Sequence, residues 1–416
     1  MKRLLVVTST LPATVDDPVP GFVKDQAIWL KRAHSGLAID ILAPHTPLSP
    51  TAKLTIHEAY TEHRFHYFWP RRWELVAGHG TMSALAKYRL LYLQVPLLFI
   101  GQFFALWRLT RRLKPNLLYA HWFTPQAIVA AVVSKLTGVP LVFTTHASDI
   151  IVLKKMPGFR LIVRLVCRRA VGYTAVSQQT ADKLIYFAKA RTADAIRAKL
   201  RIIPMGANPL PPAHRTAIDR TKRKFGLTAP KQVLFIGRLV PRKGVEYLLE
   251  AFAKIADIHK DAQLIIAGDG PSKASLEALT KRLDLSTKQV IFPGFISGET
   301  KDSLLHLSDI VCLPSINIGD QSEGMPVAFM EGLEAGKTIV ASDVTGAQEY
   351  LIDGRDGFLF RQKDTAELAT KLKLALGLNG AAKVKLSQAA KKLGGRFEWQ
   401  RVAKEHYDFF EEALRG

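Results

Sequence analysis

The sequence predicts an α/β protein built from two Rossmann-like domains in tandem, facing each other across a cleft. Three observations carry that expectation. Short apolar runs rich in Val, Ile, Leu and Phe recur along the chain, each bounded by turn residues. Segments with helical spacing of apolar residues lie between most of them. The whole series occurs twice, on either side of the proline- and Lys/Arg-rich stretch Pro209–Pro230. Continuous apolar runs read as strands buried on both faces of a parallel sheet. Their alternation with helices gives βαβ units.

The runs of the first series are Arg3–Ser9, Ile39–Ala43, Asn116–His121, Leu141–His146, Gly172–Ser177 and Arg201–Met205. Those of the second are Gln232–Gly237, Gln263–Gly268, Gln289–Pro293, Ile310–Pro314 and Thr338–Ser342. Val245–Ile255 has the spacing of an intervening helix. Pro209–Pro230, with Pro211-Pro212 and its cluster of cations, reads as a linker. Open α/β sheets bind ligands beyond the carboxyl ends of their strands, so the residues following each run are the ones to inspect.

The composition suits this layout. The chain has 416 residues, 48% of them hydrophobic, enough for two or three domains with real cores. Its two cysteines, Cys167 and Cys312, exclude a disulfide framework, make a cysteine metal site unexpected and fit a reducing cytoplasm. Met1-Lys2-Arg3 and the short apolar run after it do not read as a cleavable signal peptide. The charge is lopsided. Residues 1–215 hold 29 Lys+Arg against 10 Asp+Glu, and the remainder 29 against 26. Such a basic first half points to an anionic partner there: nucleic acid, an acidic membrane surface or a phosphorylated substrate. Nucleic acid is disfavoured, because the aromatic residues sit in apolar runs and are not interleaved with the cations.

Two segments of that half are candidates for a membrane surface. Leu90–Trp107 nearly reaches the roughly 20 residues of a transmembrane helix, but Gln94, Pro96, Gly101 and Gln102 interrupt it. It reads as a helix–break–helix pair packed on the sheet, or as a segment inserting partway into one leaflet. Arg108, Arg111, Arg112 and Lys114 follow it. In Arg160–Arg169, Arg160, Arg164 and Arg168 form one helical stripe, preceded by Lys154 and Lys155. Basic amphipathic helices of this kind lie on anionic bilayers, although a solvated face gives the same pattern.

Four constellations could carry chemistry. In IGRLVPRKG (Ile236–Gly244) a strand end is followed by Arg238, Arg242 and Lys243 and then a helix. Cations at a helix N-terminus suit a diphosphate. AGDGPS (Ala267–Ser272) is not G-x-G-x-x-G, because Lys273 stands where the third glycine belongs; it reads as a tight turn without a cofactor. In EGMPVAFMEG (Glu323–Gly332), Pro326 marks a helix start. Glu323 then falls in the preceding loop and Glu331 in the helix. Carboxylates there could accept hydrogen bonds from sugar hydroxyls, form a hydrolytic acid/base pair, or merely favour the helix dipole and face solvent. THASD (Thr145–Asp149) puts His146 at a strand end, as His121 is. Gly21 follows the first strand closely, where a glycine lets backbone approach a ligand.

Taken together, Gly21, HASD at 146–149, AVS at 175–177, IPMG at 203–206, GRLVPRKG at 237–244, AGDGP at 267–271, LPS at 313–315, EGMPVAFMEGLEAGK at 323–337 and TGAQE at 345–349 resemble the family-4 glycosyltransferases of the GT-B fold. The resemblance covers nearly the whole chain. It implies an N-terminal acceptor domain (1–207), a C-terminal nucleotide-sugar donor domain (208–388) and a C-terminal helix (389–416) crossing back to the first domain. It implies that Arg238 and Lys243 hold the donor diphosphate beside Gly237. Glu323 would bind the donor sugar, with the backbone of Gly324 and Met325 beside it, and Glu331 the ribose. Gly21 would let the first loop close over the diphosphate, and His146 would lie near the transferred sugar and the acceptor. Ala147 stands where the family has glycine and Asn208 where it has aspartate; Thr345 and Gln348 depart from its GGxPE loop.

The implied activity is a retaining, metal-independent hexosyl transfer from a UDP- or GDP-linked sugar, with no cofactor, to a lipid-linked or phosphorylated glycan of surface polysaccharide or glycolipid assembly. The basic half would sit against the anionic inner face of the cell membrane, making the protein cytoplasmic and peripheral. A nucleotide-sugar epimerase of the same double layout, and an inactive membrane adaptor, are the alternatives.

Overall fold

The computed structural model describes residues 1–14, 17, 19–49, 53–77, 85, 88–146, 148–155, 158–188, 193–319 and 323–416. Ala147 of the HASD stretch lies outside them. The chain divides into two compact α/β units. One comprises Met1–Gly206 together with Trp399–Gly416, the other Ala207–Glu398.

The strands of the first unit are β1 (Arg3–Val7), β2 (Ala38–Pro44), β3 (Leu54–Ile56), β4 (Thr61–Phe65), β5 (Leu117–His121), β6 (Leu141–Thr145), β7 (Gly172–Ala175) and β8 (Leu200–Ile202). They form one sheet in the order β3-β4-β2-β1-β5-β6-β7-β8. Every pair is parallel except β3–β4. Strands β5 and β6 are fully buried and β1 is buried beyond Arg3, as their unbroken apolar runs require. Strand β4, Thr-Glu-His-Arg-Phe, has no such run and escapes sequence reading. It is buried because its charges are paired inside the protein. His63 Nε2 bonds Asp40 Oδ1 at 2.8 Å, and Arg64 Nε donates to Glu62 Oε1 at 2.6 Å.

Leu90–Trp107 is not a broken pair. A 3₁₀ turn, Arg89–Leu93, leads into one continuous α-helix, Gln94–Leu113. Pro96 is tolerated because it lies in the first turn, where no backbone donor is needed. Gly101 does not end the helix; a Cβ there would stand 3.0 Å from the His66 carbonyl, so glycine admits close packing. Leu98, Gln102, Leu106 and Leu109 face inward, while Leu93, Leu97, Ile100 and Phe104 are exposed.

The second unit holds β9 (Lys231–Ile236), β10 (Ala262–Ala267), β11 (Val290–Gly294), β12 (Ile310–Leu313), β13 (Thr338–Ser342) and β14 (Phe358–Phe360) in the order β11-β10-β9-β12-β13-β14, all parallel. The supposed linker contains a helix, Arg215–Phe225, which packs on the helix Gly298–Leu307. Its cations face solvent while Ala217 and Thr221 are buried, so the cluster marks a helix face.

The segment returning to the first unit starts at Trp399, not at residue 389. Residues 380–394 are a single helix capped by the Asn379 side chain, and it packs on the helix Val327–Glu334. The final helix, Trp399–Arg415, packs on the first, Phe22–Ala33, and buries Trp399, Val402, His406, Phe409 and Phe410.

Candidate active site

In the second unit the site is built at the carboxyl ends of β9, β10 and β12. Leaving β9, the chain passes Gly237 and exposed Arg238. Fully buried Leu239 pins the loop to the core, and a 3₁₀ turn, Pro241–Lys243, leads into the helix Val245–Ala256. Gly244 joins the two at φ +62°, and a Cβ there would lie 2.0 Å from the Pro314 carbonyl, so no larger residue fits. The AGDGP turn rests on this loop. Gly237 N–H donates to the Ala267 carbonyl (3.0 Å) and Leu239 N–H to that of Asp269 (2.9 Å). A Cβ on Gly268 would meet the Gly237 oxygen at 1.8 Å. Close backbone packing explains these glycines.

Glu323 is buried at the centre. Lys243 Nζ donates to its Oε1 at 2.8 Å, Arg242 Nη1 lies 3.6 Å from the same oxygen, and Ser315 Oγ donates to Oε2 at 2.8 Å. Burial alone would raise its pKa. The Lys243 and Arg242 charges and the two hydrogen bonds outweigh this and hold it at about 2. Burial pulls Lys243 below the usual lysine range, and Glu323 partly restores it. Desolvation, then the Arg242 charge, also lowers Arg238.

Pro326 is the N-cap of the helix Val327–Glu334, one residue outside the helix and not its first member. No side chain caps this end. Glu331 is not a solvated carboxylate: Lys301 Nζ donates to its Oε1 at 2.6 Å. The TGAQE loop closes over Gly324, since a Cβ on Gly346 would stand 1.9 Å from the Gly324 oxygen. Gln348 presents a buried Oε1 that makes no hydrogen bond. Lys243 and Glu323, 80 positions apart in sequence, are thus in direct contact; Arg242 and Ser315 join them, and Lys301 pairs separately with Glu331.

In the first unit His121 ends β5 and His146 follows β6. Asp149 fixes the second of these ends. It accepts from Phe123 N (2.6 Å), Thr145 Oγ1 (3.0 Å) and His146 N (3.2 Å). The His146 ring lies 4.3 Å from the Trp122 ring and 5.2 Å from that of Phe22, the residue after Gly21. His121 Nδ1 stands 3.3 Å from His146 Nε2, and His121 Nε2 stands 2.8 Å from Gln26 Oε1. An amide oxygen only accepts, so this arrangement assigns the His121 proton to Nε2. Its bare Nδ1 then accepts from His146 Nε2–H, which leaves His146 Nδ1 as the free acceptor. Burial, and then nearby His406, lower His146 to about 3; burial also lowers His121 and takes His406 to about 4. All three are neutral at pH 7. Sequence reading missed Gln26 and His406. Each is a polar residue on the apolar stripe of an amphipathic helix, which is the signal that would have found them.

Comparison with known proteins adds the family. The family model described as Glycosyltransferase Family 4 matches residues 33–209, and that described as Glycosyl transferases group 1 matches residues 217–393. A 2-deoxystreptamine glucosyltransferase of Streptomyces kanamyceticus is 27% identical over 65% of this chain and 70% of its own length. A putative teichuronic acid biosynthesis glycosyltransferase of Bacillus subtilis is 29% identical over 62% and 61%. The chain spans from 45% to 72% of the length of the first curated relatives it matches. Among solved structures, Anabaena HepE in complex with UDP is similar at TM-score 0.69 and 18% identity, over 99% of this chain and 100% of that one. The two α/β units and the two matches on successive halves agree: the chain belongs to the family-4 glycosyltransferases of the GT-B fold.

Proposed function

We propose that this glycosyltransferase is a retaining enzyme that moves a hexose from a UDP- or GDP-linked donor to a membrane-associated, lipid-linked or phosphorylated glycan in surface polysaccharide or glycolipid assembly. The observation that carries the donor side is the convergence of Lys243 and Arg242 on buried Glu323. Departure of a nucleoside diphosphate builds negative charge on the leaving oxygen. Arg238, Lys243 and the uncapped helix at Val327 are fixed cationic or dipolar groups that stabilise that charge without a metal. Glu323 keeps acceptor capacity on both oxygens for donor-sugar hydroxyls, with Gly324 and Met325 backbone beside it. Glu331 serves the ribose, and Gly237 lies beside the diphosphate. On the same face of the sugar, the leaving phosphate takes the acceptor hydroxyl's proton, and His146 serves the acceptor.

Gly21 supports a ligand role by elimination. Its φ is −84°, and the nearest atoms to a Cβ would be 3.8 Å away. The fold itself does not require glycine, whereas a closely approaching diphosphate does.

The acceptor side rests on the first unit's surface. Leu93, Leu97, Ile100 and Phe104 form an exposed stripe at i, i+4, i+7 and i+11, and Leu90, 81% exposed, extends it. The segment Arg89–Leu113 is long and apolar enough to cross a membrane by length and composition. Its inner face is committed to the sheet, which favours lying on a bilayer over spanning it. Leu161 and Leu165 are exposed beside Arg164 and Arg168 on the helix Phe159–Arg169, supporting the same cytoplasmic, peripheral placement.

A thermal-shift panel of UDP, GDP and ADP tests the donor side: stabilisation by UDP or GDP is expected, and no response to either overturns it. Flotation with anionic liposomes tests the acceptor side; absence of binding at low salt rejects it.

A further inference from the structure

The first unit contains a second convergence of reactive side chains. His45 directly follows β2 and His66 directly follows β4. The two strands are parallel neighbours with Pro44 opposite Phe65, so both imidazoles emerge at the same carboxyl edge. His45 N–H is tied to the Phe65 carbonyl at 2.8 Å. Glu74, beyond the 3₁₀ turn Arg71–Trp73, returns to this edge and is fully buried. Its Oε1 accepts from the backbone of Tyr67 (2.6 Å) and Phe68 (3.1 Å). Its Oε2 faces both imidazoles, 3.0 Å from His66 Nδ1 and 2.5 Å from His45 Nδ1.

Both imidazoles thus turn a ring nitrogen to one carboxylate oxygen, and His45 Nδ1 and Glu74 Oε2 are buried together. The three ligand atoms lie within 4.8 Å of one another, a separation that bonds of about 2.0–2.2 Å to one ion bring together with small shifts. The nearby Arg64 cation is held by Glu62 and by the carbonyls of Pro44, Leu11 and Pro12.

We propose that His45, His66 and Glu74 form a binding site for one divalent transition-metal ion of the Zn²⁺ class, with the remaining coordination position left to water. Two imidazoles and a single carboxylate suit such an ion and do not suit Mg²⁺ or Ca²⁺, which take oxygen ligands. The ligands bracket residues 66–74, a segment that exposes Trp69, Trp73, Arg71 and Arg72. The ion would pin both ends of that aromatic and basic segment to the end of β2. The site is separate from the donor chemistry and does not depend on it.

Tag-free, full-length protein is stripped with chelator and titrated with Co²⁺. One equivalent is expected to give a visible ligand-field band, which Zn²⁺ abolishes and a thousandfold excess of Mg²⁺ leaves in place. His66→Ala and His45→Ala should each weaken Co²⁺ binding at least tenfold while keeping the far-ultraviolet circular dichroism of the parent. Should either variant fail to fold, X-ray absorption on the zinc-loaded parent decides, with two imidazoles and one carboxylate expected. A parent that retains no Co²⁺ or Zn²⁺, binding unchanged in His66→Ala, or a coordination shell lacking imidazole overturns the proposal.

Discussion

Lys243 donates a 2.8 Å hydrogen bond to Glu323, 80 positions further along the chain, and the two side chains are only 13% and 10% exposed. Removing one member leaves an uncompensated buried charge, which costs about 3 kcal/mol. Lys243→Ala should therefore lose about that much stability in urea titration and lower turnover roughly 100-fold, the scale of losing one preorganised donor. Adding Glu323→Gln should return most of the stability and none of the turnover. Full activity in Lys243→Ala would remove the residue from the mechanism.

The same pair sets an acid limit. Glu323 titrates at about 2 in the folded protein against an ordinary 4.5, so its contribution is complete above pH 4.5 and is lost as the pH falls toward 2. The shift corresponds to about 3 kcal/mol. Unfolding free energies of the parent and Glu323→Gln, compared at pH 6 and pH 3, should differ by less at the lower pH. A constant difference contradicts the assignment.

His146 should be silent in the pH–rate profile where an ordinary histidine titrates. Its pKa is lowered from 6.5 to about 3, so it stays neutral down to pH 5. The stability record carries the opposite signature. His146, His121 and His406 are all depressed, so the unfolded chain binds protons below pH 6.5 that the folded chain refuses. Stability should fall from pH 6.5 toward pH 4. His146→Asn should flatten part of that slope; an unchanged slope would show that His146 takes no part in it.

The parallel sheets were legible because a strand buried on both faces must be apolar throughout. Strand β4 was not, because Glu62, His63 and Arg64 are buried through pairings whose partners the one-dimensional pattern does not reveal. The Arg215–Phe225 helix was hidden by its own cations, which register as linker composition until a buried Ala217 and Thr221 define a face. Glu323 and Lys243 were individually visible in motifs. Their contact, and the roles of Ser315, Lys301 and Gln26, depend on how distant strands converge, and a single sequence carries no record of that.

Gln26 acts through His121 on the tautomer of His146. Gln26→Leu removes the acceptor that holds the His121 proton on Nε2, so His146 loses its fixed donor direction. Turnover should fall by about 10–100-fold, the scale of a small misplacement of a reacting group, while donor KM stays unchanged. Nitrogen-15 chemical shifts of the imidazoles should show the tautomer change. A loss confined to KM would assign Gln26 to donor binding instead.

The exposed stripe of Leu97, Ile100 and Phe104 gives a prediction in which stability and binding separate. These side chains lie on the outer face of the helix; Ile100 and Phe104 are 52% and 51% exposed. A triple substitution to Ser should cost no more than about 1.5 kcal/mol in urea titration, since surface changes stay within about 0.5 kcal/mol each. Burying three such side chains in a bilayer interface is worth about 1.5–3 kcal/mol apiece at full burial, so the variant should lose anionic-liposome binding at least tenfold. The basic residues Arg108, Arg111 and Arg112 on the same helix add a salt-dependent attraction that the Ser variant retains. Residual binding of the variant should accordingly vanish with added salt, while the parent keeps a salt-resistant fraction. Equal flotation of variant and parent at high salt would mean that this face does not meet the membrane.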